Sequence, residues 1–91
     1  MMNIIQTRQF YQAIKKLHKN QKLDLDIAVQ AIIANITIGD MKVGDLAGVR
    51  VHKFRMCGQL TLLAYTFNEN TVVLTLLTFG SHENFYRDIK K

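Results

Sequence analysis

Four side chains of this sequence are spaced to act on a charged substrate: Lys53, Arg55, His82 and Tyr86. Lys53 and Arg55 lie two apart in residues 49–56 (VRVHKFRM), a run rich in β-branched and aromatic side chains that reads as a strand. Residues i and i+2 of a strand share a face, so the two cations project together, about 7 Å apart. Fixed cations at that spacing can straddle a phosphate. The same pair also suits an exposed strand that merely carries charge to blunt it. His82 follows Gly80-Ser81, where Ser81 suits the cap of a short final helix, and Tyr86 would lie one turn on, on the same side. The positive end of such a helix favours neutral imidazole, a proton acceptor near neutral pH, and also offers N–H groups to phosphate oxygens. Periodicity alone fits His82 equally well to a surface position and Tyr86 to a core plug.

These residues need a sheet to hold them. Three strand-like runs, 49–56, 60–67 and 71–79, are separated by Cys57-Gly58-Gln59 and Asn68-Glu69-Asn70, both with hairpin-turn chemistry. They predict a three-stranded antiparallel meander. In its first strand Val51, Lys53 and Arg55 point one way and Arg50, His52 and Phe54 the other. Phe54 belongs toward a core, and His52, alternating with it, reads as structural. The second and third runs are almost continuously apolar, as expected of central, covered strands, and Tyr65 reads as packing.

Upstream, residues 2–6 (MNIIQ) read as a short opening strand. Thr7 can cap a helix from Arg8 to about Asn20, whose apolar stripe is Phe10, Tyr11, Ala13, Ile14 and Leu17. Lys15, Lys16, Lys19 and Lys22 sit on or near its other face, as a binding surface or a solvated one. A second helix is expected over 25–35, capped by Asp24 or a neighbour, with Leu25, Ala28, Val29, Ile32 and Ile36 at helical spacing. Ile27, Ala31 and Ile33 widen that stripe and predict a well-buried helix. Residues 37–48 read as a connector. The expected class is α+β: a small antiparallel or mixed sheet in the order β-α-α-β-β-β plus a short C-terminal helix, with a helical hairpin packed on one face.

The chain of 91 residues is 48 % hydrophobic, which suits one globular domain spanning residues 1–91. No apolar run approaches the ~18 residues of a membrane span, and the N-terminus runs directly into an amphipathic pattern rather than a signal peptide. One cysteine forms no internal disulfide, and with three scattered histidines it makes no metal-ligand spacing. No metal or cofactor is expected, and a reducing cytoplasm is the simplest location. Twelve Lys and Arg against seven Asp and Glu leave a charge of +5. The basic residues cluster: residues 1–23 hold five and no acid, and residues 46–68 hold Arg50, Lys53 and Arg55 and no acid. This distribution points to a polyanionic partner, nucleic acid or acidic protein.

The order of strand, helical hairpin and meander resembles the RelE/ParE superfamily of type II toxin–antitoxin toxins. The stretches IIQTRQFYQAIKKL, LAGVRVHKFRMCGQLTLLAY and LTFGSHENFYRDIKK carry the resemblance over essentially the whole chain. It implies a RelE-like fold and a toxin neutralised by a cognate antitoxin, acidic and partly disordered. Many relatives are mRNA interferases that cut message in the ribosomal A site. In that pattern Lys53 and Arg55 match the cations of the first meander strand, His82 the basic residue after the strand-ending Gly80, and Tyr86 the aromatic four further on. There are departures. Val51 stands where relatives often have an earlier lysine, and Gln59-Leu60-Thr61-Leu62 lacks a frequent arginine. ParE-type relatives lack the catalytic set and poison DNA gyrase, which is the alternative function. A small basic binding module without toxicity is a third reading.

The resemblance implies metal-free RNA cleavage, with the RNA 2′-OH as nucleophile. His82 would act as acid or base, Lys53 and Arg55 would neutralise phosphate charge, and Tyr86 would stack on or orient a base. Arg50, Lys15, Lys16 and Lys19 would contact ribosomal RNA backbone. The implied partners are the ribosome and mRNA, besides the antitoxin.

Overall fold

A computed structural model describes residues 2–83, 85 and 86. β1 (Asn3–Gln6) leads into α1 (Arg8–Lys15) and α2 (Lys19–Ala34). β2 (Asp40–Met41), a 3-10 turn at Gly44–Leu46, β3 (Arg50–Met56), β4 (Gln59–Asn68) and β5 (Val73–Ser81) follow. The strands form one five-stranded sheet in the order β1-β5-β4-β3-β2. β1 runs parallel to β5, and every other neighbouring pair is antiparallel. The expected meander is therefore β3-β4-β5. The connector expected over 37–48 contributes an additional two-residue edge strand, β2, too short to show any alternation.

The helices differ from expectation at their boundaries. The Thr7 hydroxyl caps α1 as expected: it accepts the Phe10 N–H at 3.1 Å and donates to the Leu77 carbonyl at 2.5 Å. α1 then stops at Lys15 rather than Asn20. Lys16 and Leu17 tighten its last turn by donating to the carbonyls three residues back. His18 starts the next helix, and its N–H is capped by the Gln21 side chain at 2.8 Å. Lys19 thus opens α2 instead of closing α1, and α2 begins six residues before the expected Leu25. Asp24 lies inside α2 and caps nothing there. Its carboxylate accepts the Cys57 N–H at 2.7 Å and so ties α2 to the β3–β4 turn.

Both helices cover one face of the sheet. Phe10, Leu25, Ala28, Ile32, Leu63, Tyr65, Leu74 and Leu76 form the main core, with Phe54, Phe67 and Phe79 packed against it. Leu25, Ala28 and Ile32 supply the buried side of α2. The stripe is narrower than its composition suggests, for Leu23 and Ile27 are 58 % and 67 % exposed. β4 is central and buried on both faces, as its continuous apolar run predicts. Tyr65 is fully buried in that strand. Its hydroxyl donates to the Ile36 carbonyl at 2.6 Å and accepts the Gly39 N–H at 3.0 Å. A Cβ on Gly39 would meet the Tyr65 ring at 2.9 Å, so only glycine lets the α2–β2 connection close over the ring.

Two local conformations are strained. The β3–β4 hairpin turns on Cys57 and Gly58, at φ 50° and 84°, between the paired Met56 and Gln59. A two-residue turn with both central residues left-handed matches the twist of the strands, and it favours Asn or Asp before Gly. In the β4–β5 connection Asn68 Oδ1 accepts the N–H groups of Asn70 and Thr71, while the β-branched Val72 is held at φ 54°. The Val72 carbonyl in turn accepts the Asn3 N–H, which seats β1.

No helix among the described residues is long and apolar enough to cross a membrane.

Candidate functional site

The face of the sheet away from the helices carries a second, smaller core of Val51, Leu62, Ala64 and Phe85, with Val49, Leu77 and Tyr86 packed against it. The register places the β3 cations here. Lys53 pairs with Leu62 and Arg55 with Leu60, and residues directly opposite one another share a face. Both cations are exposed and follow the buried Val51 along the strand. One Arg55 nitrogen donates to the Gly58 carbonyl at 3.1 Å, which anchors the guanidinium beside the hairpin turn. His52 and Phe54 alternate to the helix side as expected, their rings stacked at 6.1 Å. Burial pushes the His52 imidazole below its ordinary value, in keeping with a structural residue.

β5 reaches the same face through a bulge. Ala64 pairs with Thr78 and Tyr65 with Leu76, leaving Leu77 as the extra residue that turns toward the second core. Beyond the bulge Gly80 pairs with Leu62, and β5 ends at Ser81, opposite Thr61. Ser81 is therefore a strand residue rather than the cap of a helix. His82 follows in a turn, exposed, with its N–H directed to the Leu60 carbonyl at 3.4 Å. Leu60 lies between His82 and Arg55, so their backbones are about 10 Å apart, two strand spacings. Of the short final helix expected after Ser81, His82 and Glu83 form a turn instead, Phe85 and Tyr86 are helical, and residues 84 and 87–91 lie outside the described residues.

Phe85 and Tyr86 then pack on this face. Phe85, 1 % exposed, lies over Gly80, where an added Cβ would meet its Cα at 4.0 Å. Tyr86 lies edge-on to Phe85, with ring centroids 5.0 Å apart. It reaches the opposite end of the face from His82, where the Lys42 ammonium stands 5.8 Å from its ring centre. β2 explains Lys42. Asp40 pairs with Val51, and the Lys42 N–H bonds the Val49 carbonyl at 2.9 Å, so Asp40 and Lys42 share the helix-free face. A cleft of about 250 Å³ opens there between Lys42, Val43, Asp45, Leu46 and Tyr86.

The expected site residues therefore divide. Lys53, Arg55 and Tyr86 share the helix-free face, and His82 follows it at the Arg55 end. His82 and Tyr86 are not stacked on one helix face: the buried Phe85 separates them. Arg50 belongs to the other side. It pairs with Tyr65 of the main core, and its guanidinium donates to the Gly39 carbonyl at 2.9 Å. It holds the α2–β2 connection rather than standing beside Lys53. Lys15 lies over the Tyr11 ring at 4.6 Å on α1, and Lys16 and Lys19 belong to the same helical layer, with the sheet between them and Lys53. Sequence reasoning missed Lys42 and Phe85. Lys42 sits at the end of a strand too short to announce its facing. Phe85 has a single apolar residue at helical spacing, Ile89, too little to mark a buried stripe.

A mixed five-stranded sheet with a helical hairpin on one face and cations on the other is the RelE-like fold. The chain belongs to the ParE-like toxin family of type II bacterial toxin–antitoxin systems, whose family model matches residues 4–90. Among solved structures it is similar to a free-state variant of the toxin RelE of E. coli, at 15 % identity and TM-score 0.71, covering 98 % of this chain and 95 % of that one. It is similar to a chain of the intact E. coli RelBE toxin–antitoxin complex, at 14 % identity and TM-score 0.70, covering 89 % and 96 %. A conserved hypothetical protein of Helicobacter pylori is similar at 18 % identity and TM-score 0.56, covering 93 % and 99 %. No curated protein sequence matches the chain.

Proposed function

We propose that this toxin is a ribosome-dependent mRNA interferase, a metal-free endoribonuclease that stops growth by inhibiting translation. The observation that carries the reading is the pair Lys53 and Arg55, exposed together on the helix-free face at the end where His82 leaves β5. Cleavage by the RNA's own 2′-OH needs a base for that hydroxyl, positive charge at the phosphorane and an acid for the departing 5′-oxygen. Lys53 and Arg55 supply the charge, and the Gly58 carbonyl fixes the guanidinium before substrate arrives. His82 transfers a proton, with the imidazole free to approach because the residue is exposed. Tyr86, at the far end of the face, takes a base rather than a proton. Arg50, Lys15, Lys16 and Lys19 have no part in the cleavage centre, and any contact of theirs with ribosomal RNA uses other faces.

Neutralisation by an acidic, partly disordered antitoxin completes the reading. RelE of E. coli is solved in complex with an antitoxin. On this chain the exposed Tyr11, Leu23 and Ile27 of the helical hairpin, beside the lysines of α1 and α2, suit a segment that is both acidic and apolar. The cytoplasm, where ribosomes and message meet, is the proposed location.

Primer extension on message from cells inducing the protein tests the proposal. Discrete breaks within translated RNA are expected for the wild type and not for His82→Ala. Gyrase poisoning is the second reading, favoured by the ParE-like family description and by Val51, buried where a second lysine would lengthen the clamp. DNA breaks with intact message would establish it.

A further inference from the structure

Of the cleft between Lys42 and Tyr86 only Tyr86 enters the chemistry above; the cleft lies on the same face as Lys53. From Lys53 to Val49, which pairs with Lys42 through its carbonyl, is about 13 Å of strand. Neighbouring nucleotides of one RNA strand can reach both places. The lining is mixed in character. It holds one cation, Lys42, and one carboxylate, Asp45, with Tyr86, Val43 and Leu46 as apolar walls. Val43 is 85 % exposed, a large apolar side chain open to solvent. Asp45 sits in the 3-10 turn Gly44–Leu46, which is separated from Lys42 by Val43 alone and is closed by the Ala47 N–H to the Gly44 carbonyl at 3.0 Å. Lys42 is at the outer limit of cation–π range from Tyr86, so the attraction holding it there is weak and its three N–H donors are open to a better acceptor.

The geometry points to a nucleobase-reading subsite in this cleft, in which Lys42 and Asp45 recognise the edge of one unpaired RNA base while Tyr86, Val43 and Leu46 hold its faces. A base edge carries acceptors and N–H donors side by side. An ammonium answers the first and a carboxylate the second, and the pair distinguishes bases by where each falls. Aromatic and aliphatic walls accept any base, so discrimination rests on the two charged groups. The subsite thereby assigns specificity-determining roles to Lys42 and Asp45 within the nuclease reading, on which it rests.

The test is sequencing of 5′ ends from a message library, randomised over consecutive codons and cut on purified ribosomes by wild type, Asp45→Asn and Lys42→Gln. Asp45→Asn keeps the shape of the side chain and exchanges half of its acceptors for donors. The expected result is a change of roughly tenfold in relative base preference at one position beside the cut, in each variant and at the same position. An unchanged base profile, whether the overall rate falls or holds, overturns the subsite and leaves the nuclease reading standing. A wild type that cuts no message overturns both. Because both substitutions are on the surface, thermal unfolding of each variant should match the wild type within a few degrees; a folded variant with an unaltered profile contradicts the assignment.

Discussion

Lys53 and Arg55 owe their shared direction to what their neighbours bury. Val51 on one side of β3 and Phe54 on the other fix the alternation, because slipping the strand by one residue would carry both into the wrong face. The cations are thus held by packing that has nothing to do with charge, and their substitution should leave the fold intact. Arg55→Ala should lower cleavage about 10²–10³-fold, the usual worth of one group stabilising a developing oxyanion, with little change in thermal midpoint. The residues of the other face behave in the opposite way. Tyr65→Phe removes a hydroxyl that satisfies both Ile36 and Gly39 and leaves those backbone groups buried, at a cost of about 1–3 kcal/mol readable in urea unfolding. His52 adds a pH dependence. Its folded value is lowered by burial from 6.5, so below pH 6.5 the unfolded chain binds the proton more readily. Stability should therefore be full above pH 6.5 and decline as the pH falls below it, and His52→Phe should flatten that limb of the pH–stability curve.

At the scale of elements, the turns carry correctable strain. Cys57 occupies the first left-handed place of the β3–β4 hairpin, where Asn is preferred. Cys57→Asn should stabilise by about 0.5–1 kcal/mol. Val72→Gly should relieve the left-handed β-branched residue, offset in part by a more flexible unfolded chain; a small net rise in thermal midpoint is expected. The three meander strands were legible in the sequence because each alternates or is continuously apolar and each break carries turn residues; the two-residue β2 was not. The helix boundary was not. Residues 16–24 (KLHKNQKLD) give no glycine or proline to mark a stop, and the capping box of His18 and Gln21 lacks the Ser, Thr or Asp that announces one. Asp24 looked like a cap and serves the distant Cys57 instead, a tertiary contact without any local sign.

On the scale of the whole molecule the sheet is a partition. One face is given to the helices and the main core, the other to a small apolar patch ringed by Lys42, Lys53 and Arg55. The first face could be read from helical periodicity; the second only in part. That Lys53 and Arg55 project together followed from alternation, but that Arg50 lies behind the sheet, Lys42 in front of it and Phe85 between His82 and Tyr86 depends on strand order and on the path of the C-terminal segment, which periodicity does not encode. The cleavage proposal concentrates function at the end of the face where Arg55 and His82 stand. The most direct measurement is single-turnover cleavage of ribosome-bound message by the purified protein, comparing wild type with the double variant Lys53→Ala, Arg55→Ala. Rapid discrete scission by the wild type and a loss of at least about 10²-fold in the variant are predicted. Equal cleavage by the two, or intact message with the wild type, would contradict the account.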